Sequence, residues 1–353
     1  MGFKRLEADD FVVSAQAQTA TCWTNNVPTL TSFFTQSSQV NSDSGQYYAT
    51  VYNTDADGAS ATDSVAQFEI AYGNANGGGA LAYNNNAAPG VSPASTVFGQ
   101  YRTLVLEDEN ASFSFGGVEQ SYFYALSVER AAYKQALFPG SLNLILQGAG
   151  SPAADNLYLT DNSKMVTVPT YYGTMRAYEV ISGSDGQSAE VIAGGSGNGY
   201  TTNVGSYGLF LPDIGTIILN GAALDLNTSE GLNLSTTLTT NTAGNNNQKL
   251  FNAITGSANV TPGFSLNSEE TITSDFVFVR ARNSEFNYST NPSYISGSTG
   301  EVTFNYFINN PQTYMTTVGL YNDSNDLLAV ANLSRPLNKN FTKEALIRVK
   351  LDF

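Results

Sequence analysis

From Ile347 to Phe353 the chain alternates strictly: Ile347, Val349, Leu351 and Phe353 are separated by Arg348, Lys350 and Asp352. A period of two puts the four apolar side chains on one face and the three charges on the other. That is the pattern of a strand with one face on a core and one in water, and it predicts a segment pinned into a sheet. Just upstream, Thr316–Tyr321 and Leu327–Ala331 flank Asn322-Asp323-Ser324-Asn325-Asp326, a turn by composition, so a hairpin is expected there. Further strands are expected over Phe276–Ala281 and Val302–Phe307.

The rest of the chain carries the same β character. Charged residues are only 13%, about half the usual share, and 32 Gly, 20 Tyr and 20 Phe stand with Ser, Thr, Asn and Gln in their place. Such residues suit pleated sheets and turns better than helices. The expected class is mainly β, with antiparallel sheets in a sandwich or jelly-roll-like arrangement, one or two short helices, and long Gly/Asn-rich loops.

Strands are expected over Tyr47–Tyr52, Ala66–Tyr72, Tyr101–Leu106, Leu142–Gln147, Met165–Val168, Arg176–Ile181, Glu190–Ala193 and Gly208–Leu211, and Ile214–Asn220 reads as buried. A helix is expected from about Val118 to Leu137, where Leu126, Arg130, Tyr133 and Leu137 share a face and Pro139-Gly140 end it. Gly73–Gly99 reads as a long loop, 221–248 as a low-complexity Leu/Thr/Asn excursion, and Gln248–Ile254 as a short helix. Three segments follow: 1–150, β-rich with the one helix; 151–260, a middle β segment containing the excursion; and 261–353, a β domain with the hairpin and final strand.

Several function classes are excluded or disfavoured by residue type. Net charge is −15 and no basic patch is denser than Lys4-Arg5, so nucleic acid is not an expected partner. There is no histidine, which removes Ser-His-Asp and Cys-His catalysis and histidine metal sites. Cys22 is alone and forms no internal disulfide. The opening Met1–Asp10 lacks an apolar signal core, and no apolar run reaches membrane-spanning length, so neither export nor a membrane partner is expected.

Carboxylate pairs at Glu107-Asp108-Glu109, Asp9-Asp10, Asp213 and Asp225 lack any acid/base framework and read as turns or solvated faces. Asn53-Thr54-Asp55-Ala56-Asp57-Gly58 imitates half a calcium loop, but Ser64 stands where the bidentate Glu belongs. Gly194–Gly199 has no phosphate-loop ending. Clusters such as Tyr47-Tyr48, Tyr122-Phe123-Tyr124, and Phe286 with Tyr288 offer either a sugar-stacking surface or, as the plainer reading, core and subunit contacts. No enzyme, metal or cofactor is expected.

The segment Thr316–Ala331, with Ser334-Arg335-Pro336-Leu337 and Leu346–Phe353, resembles a hairpin-plus-strand pattern of virion proteins in T4-like phages of cyanobacteria. A looser form is similar to tail-collar fibre proteins. Phe278–Ser289 with Asn291-Pro292, and Phe3–Leu6 with Trp23-Thr24-Asn25-Asn26, look like the same family. The resemblance implies a virion structural protein without catalytic residues, assembled in a host cytoplasm. It also implies other virion proteins as partners and several copies per particle. The expected place is the tail apparatus (baseplate, fibre attachment or neck), with head decoration or a head–tail connector as the alternative. A receptor- or glycan-binding module is the rival from another class. Expected assembly contacts are Gly319, Leu320, Tyr321, Leu328, Val330, Ile347, Val349, Leu351, Phe353 and Trp23.

Overall fold

The computed structural model describes residues 4–23, 34–36, 48–53, 65–80, 92–148, 156–194, 197–239, 246–256 and 263–352. The fold is mainly β, with large antiparallel sheets and few short helices. In chain order the strands begin with β1 (Phe11–Thr21), β2 (Phe34–Gln36), β3 (Tyr48–Asn53), β4 (Val65–Asn74), β5 (Phe113–Phe115), β6 (Val118–Gln120) and β7 (Tyr122–Val128). Next come β8 (Ala136–Leu137), β9 (Asn143–Gln147), β10 (Asn156–Asp161), β11 (Thr170–Tyr172), β12 (Met175–Ser184), β13 (Gln187–Ser188) and β14 (Gly208–Leu211). The last are β15 (Thr216–Asn220), β16 (Phe264–Ser265), β17 (Asn267–Ala281), β18 (Thr313–Tyr321), β19 (Leu327–Lys339) and β20 (Ala345–Asp352). The helices are α1 (Pro93–Leu106), α2 (Ala189–Ile192), α3 (Gly221–Asp225), α4 (Asn246–Gly256) and α5 (Tyr306–Asn309).

The chain forms two compact units, Gln18–Glu270 and a second made of Met1–Ala17 with Thr271–Phe353. The sequence reading places boundaries near 150 and 260, and the contacts group the N-terminal segment with the C-terminal strands.

In the larger unit one sheet runs in the order β16, β9, β10, β12, β14, β15, β7, β4, β3, β2 and curls into a half-barrel. Its neighbours pair antiparallel, as in Ile218↔Ala125 and Ala71↔Ala125 on either side of β7. Both faces of its central strands are buried. Tyr124, Leu126, Phe68, Ile70, Ile217 and Leu219 look into one core, which Leu224 of α3 and Leu250, Phe251 and Ile254 of α4 help to fill. Phe123, Ala125, Leu209, Leu211 and Ile218 look into another, closed by Val97, Phe98, Tyr101 and Val105 of α1 and by Phe113 and Phe115. A sheet covered twice needs continuous apolar strands, not alternating ones.

That double burial explains the main departures from the sequence reading. The expected helix over Val118–Leu137 is instead β6, β7 and β8, and the apolar run that mimics a helix face is a central strand. The expected strand at Tyr101–Leu106 is the second half of α1. Residues 92–99, read as loop, begin that helix: the Ser92 side chain accepts a hydrogen bond from the Ser95 N–H at 3.4 Å, and Pro93 occupies the first turn.

Met165–Val168 forms turns rather than a strand, Glu190–Ala193 falls on α2, and Val302–Phe307 gives only an isolated Ile295↔Val302 bridge and the start of α5. The 221–239 part of the expected excursion is packed: Leu224 and Leu232 are buried, and Asp225 accepts from the Thr236 N–H at 2.8 Å and the Tyr122 hydroxyl at 3.0 Å. The half calcium loop at 54–58 lies outside the described residues.

The smaller unit is a two-layer β structure. Residues 274–281 of β17 pair antiparallel with β20, in register Val277↔Val349 and Val279↔Ile347. The hairpin of β18 and β19 supplies the second layer: Val318, Leu320, Ala331 and Leu333 pack against buried Val277, Ile347 and Val349. Along β20 burial alternates strictly from Ala345 to Val349, as the sequence period dictates. The turn of the hairpin closes on Asn322, whose carbonyl accepts from Asn325 N–H at 3.0 Å, with Asn325 in the left-handed region at φ 64.

Candidate functional site

The residues singled out from sequence fall into three groups. Gly319, Tyr321, Leu328 and Val330 lie on the outward side of the hairpin, where Leu328 is 68% exposed and Val330 55%. Leu320, Ile347, Val349 and Leu351 face inward and hold the two layers together. Trp23 is not a surface contact. It is 5% exposed, in the larger unit's core, with its ring edge-on to Phe264 at 5.4 Å. Phe353 lies outside the described residues.

A second exposed face escaped the sequence reading. Strand β1 is hydrogen-bonded at the edge of the sheet beside β17 and is exposed at all eleven positions, Val13 at 69%. From Phe11 to Ser42 the sequence contains no charged residue. Its counterpart on the far side of β17, β20, carries Arg348, Lys350 and Asp352, which discourage pairing with a stranger strand. The signal in the sequence was the absence of charge across this segment.

The smaller unit also holds an aromatic cleft of about 770 Å³, lined by Lys4, Arg5, Ser284–Tyr288, Tyr294, Phe307 and Phe341, among others. Its frame is a fixed loop. Lys339, fully buried, donates through Nζ to the Asn283 carbonyl at 3.1 Å, the Asn287 Oδ1 at 2.9 Å and the Asn340 carbonyl at 3.1 Å. Loss of water around Nζ moves its pKa below the ordinary lysine value. Phe286 sits at φ 56, a left-handed conformation costly for a bulky side chain, and its carbonyl is held by the Thr313 hydroxyl at 2.7 Å. Tyr288 meets Tyr294 edge-on at 5.7 Å, and Tyr294 packs on Phe307 at 4.8 Å. Lys4 bonds the Arg280 carbonyl and lies 3.4 Å from Glu285. The Glu285 carboxylate takes the Arg282 N–H at 2.8 Å, and that bond first, then Lys4, keeps its pKa below the usual value.

Carboxylates of the larger unit, Asp161 buried and Asp213 and Glu269 half-buried, act as internal posts. Asp161 accepts from the Gly140 N–H with both oxygens at 2.9 Å and from the Ser163 N–H at 3.0 Å. Asp213 takes a two-pronged contact from Arg176 at 2.7 and 3.0 Å, and Glu269 lies 3.4 Å from the same guanidinium. Glu107, Asp108 and Glu109 are exposed around the C-terminal cap of α1. Among the described residues no cluster of three or more acidic, cysteine or histidine side chains could hold a metal, and no helix is long and apolar enough to cross a membrane.

Charge is divided unevenly between the units. The larger has 6 basic residues against 20 acidic, net −14, and the smaller has 9 against 10, net −1. The exposed apolar faces and the aromatic cleft therefore sit on a nearly neutral body. No protein-family model, no curated protein and no solved structure matches this chain.

Proposed function

We propose that the chain is a structural subunit of a tailed-phage virion, built into the tail apparatus through protein–protein contacts and present in several copies. The observation that carries the assembly reading is β1, an edge strand of eleven residues, uncharged and exposed throughout. An open edge of this kind invites pairing with another strand, and folded chains ordinarily blunt it with charge, proline or a cover. Here nothing within β1 blunts it, so a strand of a neighbouring subunit completing the sheet is the natural cover. The outward apolar side chains Leu328 and Val330 of the hairpin offer a second contact area on the same unit. The virion assignment rests on the resemblance of residues 316–331 and 346–353 to phage structural proteins.

The test is sedimentation of the purified full chain against Val13→Lys and Val13→Thr. Self-association that Val13→Lys abolishes and Val13→Thr preserves, with unchanged thermal unfolding, supports the edge as the contact. A chain that stays monomeric at high concentration, or associates equally with Lys at 13, removes that support.

A further inference from the structure

We infer that the cleft framed by Arg5, Tyr288 and Phe341 is a binding site for a saccharide bearing a carboxylate, such as a uronic acid. This goes beyond the assembly reading and stands or falls independently of it. The volume of about 770 Å³ lies within the roughly 300–1,000 Å³ of small-ligand sites. Three aromatic rings border it with much of their surface in water: Tyr288 is 56% exposed, Phe341 57% and Phe286 37%. Such rings offer flat apolar faces for the C–H face of a pyranose, and Tyr288 keeps a hydroxyl for its edge.

The polar partner is Arg5. Its neighbour Lys4 is already engaged with Glu285 and the Arg280 carbonyl, whereas Arg5 makes no hydrogen bond or ion pair among the described residues. A free planar guanidinium beside aromatic faces is matched by a carboxylate, which it can bind through two parallel hydrogen bonds. Two cations against one carboxylate leave the lining locally positive, and the unit that holds the cleft carries a net charge of only −1.

An acidic peptide segment shares this charge, but the lining residues all lie outside the strands, so no sheet edge in the cleft can pair with an extended backbone. A saccharide needs none. The fixed loop also matters: with Phe286 held in a left-handed conformation and Lys339 tying Asn283 to Asn287, the rings are set before a ligand arrives.

The experiment is titration calorimetry of the full chain with tetragalacturonate, a neutral galactan tetrasaccharide of equal length, and a tetraglutamate peptide. Expected is saturable binding of tetragalacturonate, weakened about tenfold or more by Arg5→Gln and by Tyr288→Ala, with thermal unfolding unchanged in both variants. Phe341→Ala, at an equally exposed ring, serves as the check should Tyr288→Ala disturb folding. The inference is overturned by any of three results: no saturation at millimolar tetragalacturonate, equal affinity for the neutral sugar or the peptide, or binding indifferent to all three substitutions.

Discussion

Truncating Trp23 to Ala distinguishes a core side chain from a docking one. The indole is 5% exposed and packs edge-on against Phe264, itself fully buried and edge-on to Phe68 at 5.3 Å. Removing a large aromatic side chain from such a place costs about 3–5 kcal/mol, the lost packing with Phe264 included. One effect works the other way. The indole Nε1 is buried without a hydrogen-bond partner among the described residues, and deleting an unpaired buried donor returns about 1–3 kcal/mol. The net loss is therefore about 2 kcal/mol, or a fall of roughly 4–8 °C in the unfolding midpoint for a unit of this size. Trp23→Phe keeps most of the ring packing and removes the orphan N–H, so it should shift the midpoint by only a few degrees, in either direction. Far-UV circular dichroism follows both variants, and sedimentation below the midpoint reports association. If Trp23→Ala melts like the parent chain yet loses self-association, Trp23 is a docking residue and the packing argument is wrong.

Three further outcomes follow from the surroundings of single residues. Burial pushes the Cys22 thiol up to about 12, so a thiol reagent at pH 8 should label it only as fast as the chain opens, and labelling of the folded chain within seconds would contradict this. Asp161 has its pKa raised by desolvation, against the pull of the Ser163 and Gly140 N–H groups, so its native form holds a proton to higher pH than its unfolded form. The stability tied to this group is full below the unfolded value of about 3.9 and is lost as pH rises through the folded one. Urea midpoints measured upward from pH 4 should accordingly decline less steeply in Asp161→Asn, and parallel slopes would refute the assignment. Gly99 lies inside α1 with nothing within 4 Å of the position a Cβ would take, so Gly99→Ala should stabilise by about 0.5–1 kcal/mol.

The C-terminal strands were legible because one of their faces is wet. In β20 Arg348, Lys350 and Asp352 alternate with apolar residues, and a period of two survives into the structure unchanged. In β7 the same period is invisible: Phe123 and Ala125 enter one core, Tyr124 and Leu126 the other, and an apolar run with no polar face looks like a helix as easily as a strand. Helix α1 was hidden by its own composition, since Tyr101-Arg102-Thr103-Leu104-Val105-Leu106 is rich in strand-favouring residues and Gly99 interrupts it. The cap Ser92 and Pro93 were the available signals.

At the candidate site, Phe286 and Tyr288 stood out as an aromatic pair. What brings them against Arg5, Tyr294 and Phe341 is a set of long-range contacts through Lys339 and Thr313, and these have no periodic signature. Leu328 and Val330 are exposed on the hairpin, whose turn at Asn322–Asp326 was legible from composition. Trp23 was misplaced because its partner Phe264 lies more than two hundred residues away in the sequence.

Mass spectrometry of purified phage particles separated into heads and tails tests the central proposal most directly. Peptides from this chain should appear in the tail fraction at a stoichiometry of several copies per particle. Mature particles free of the chain, with the protein left soluble in the lysate as a monomer, would contradict the proposal.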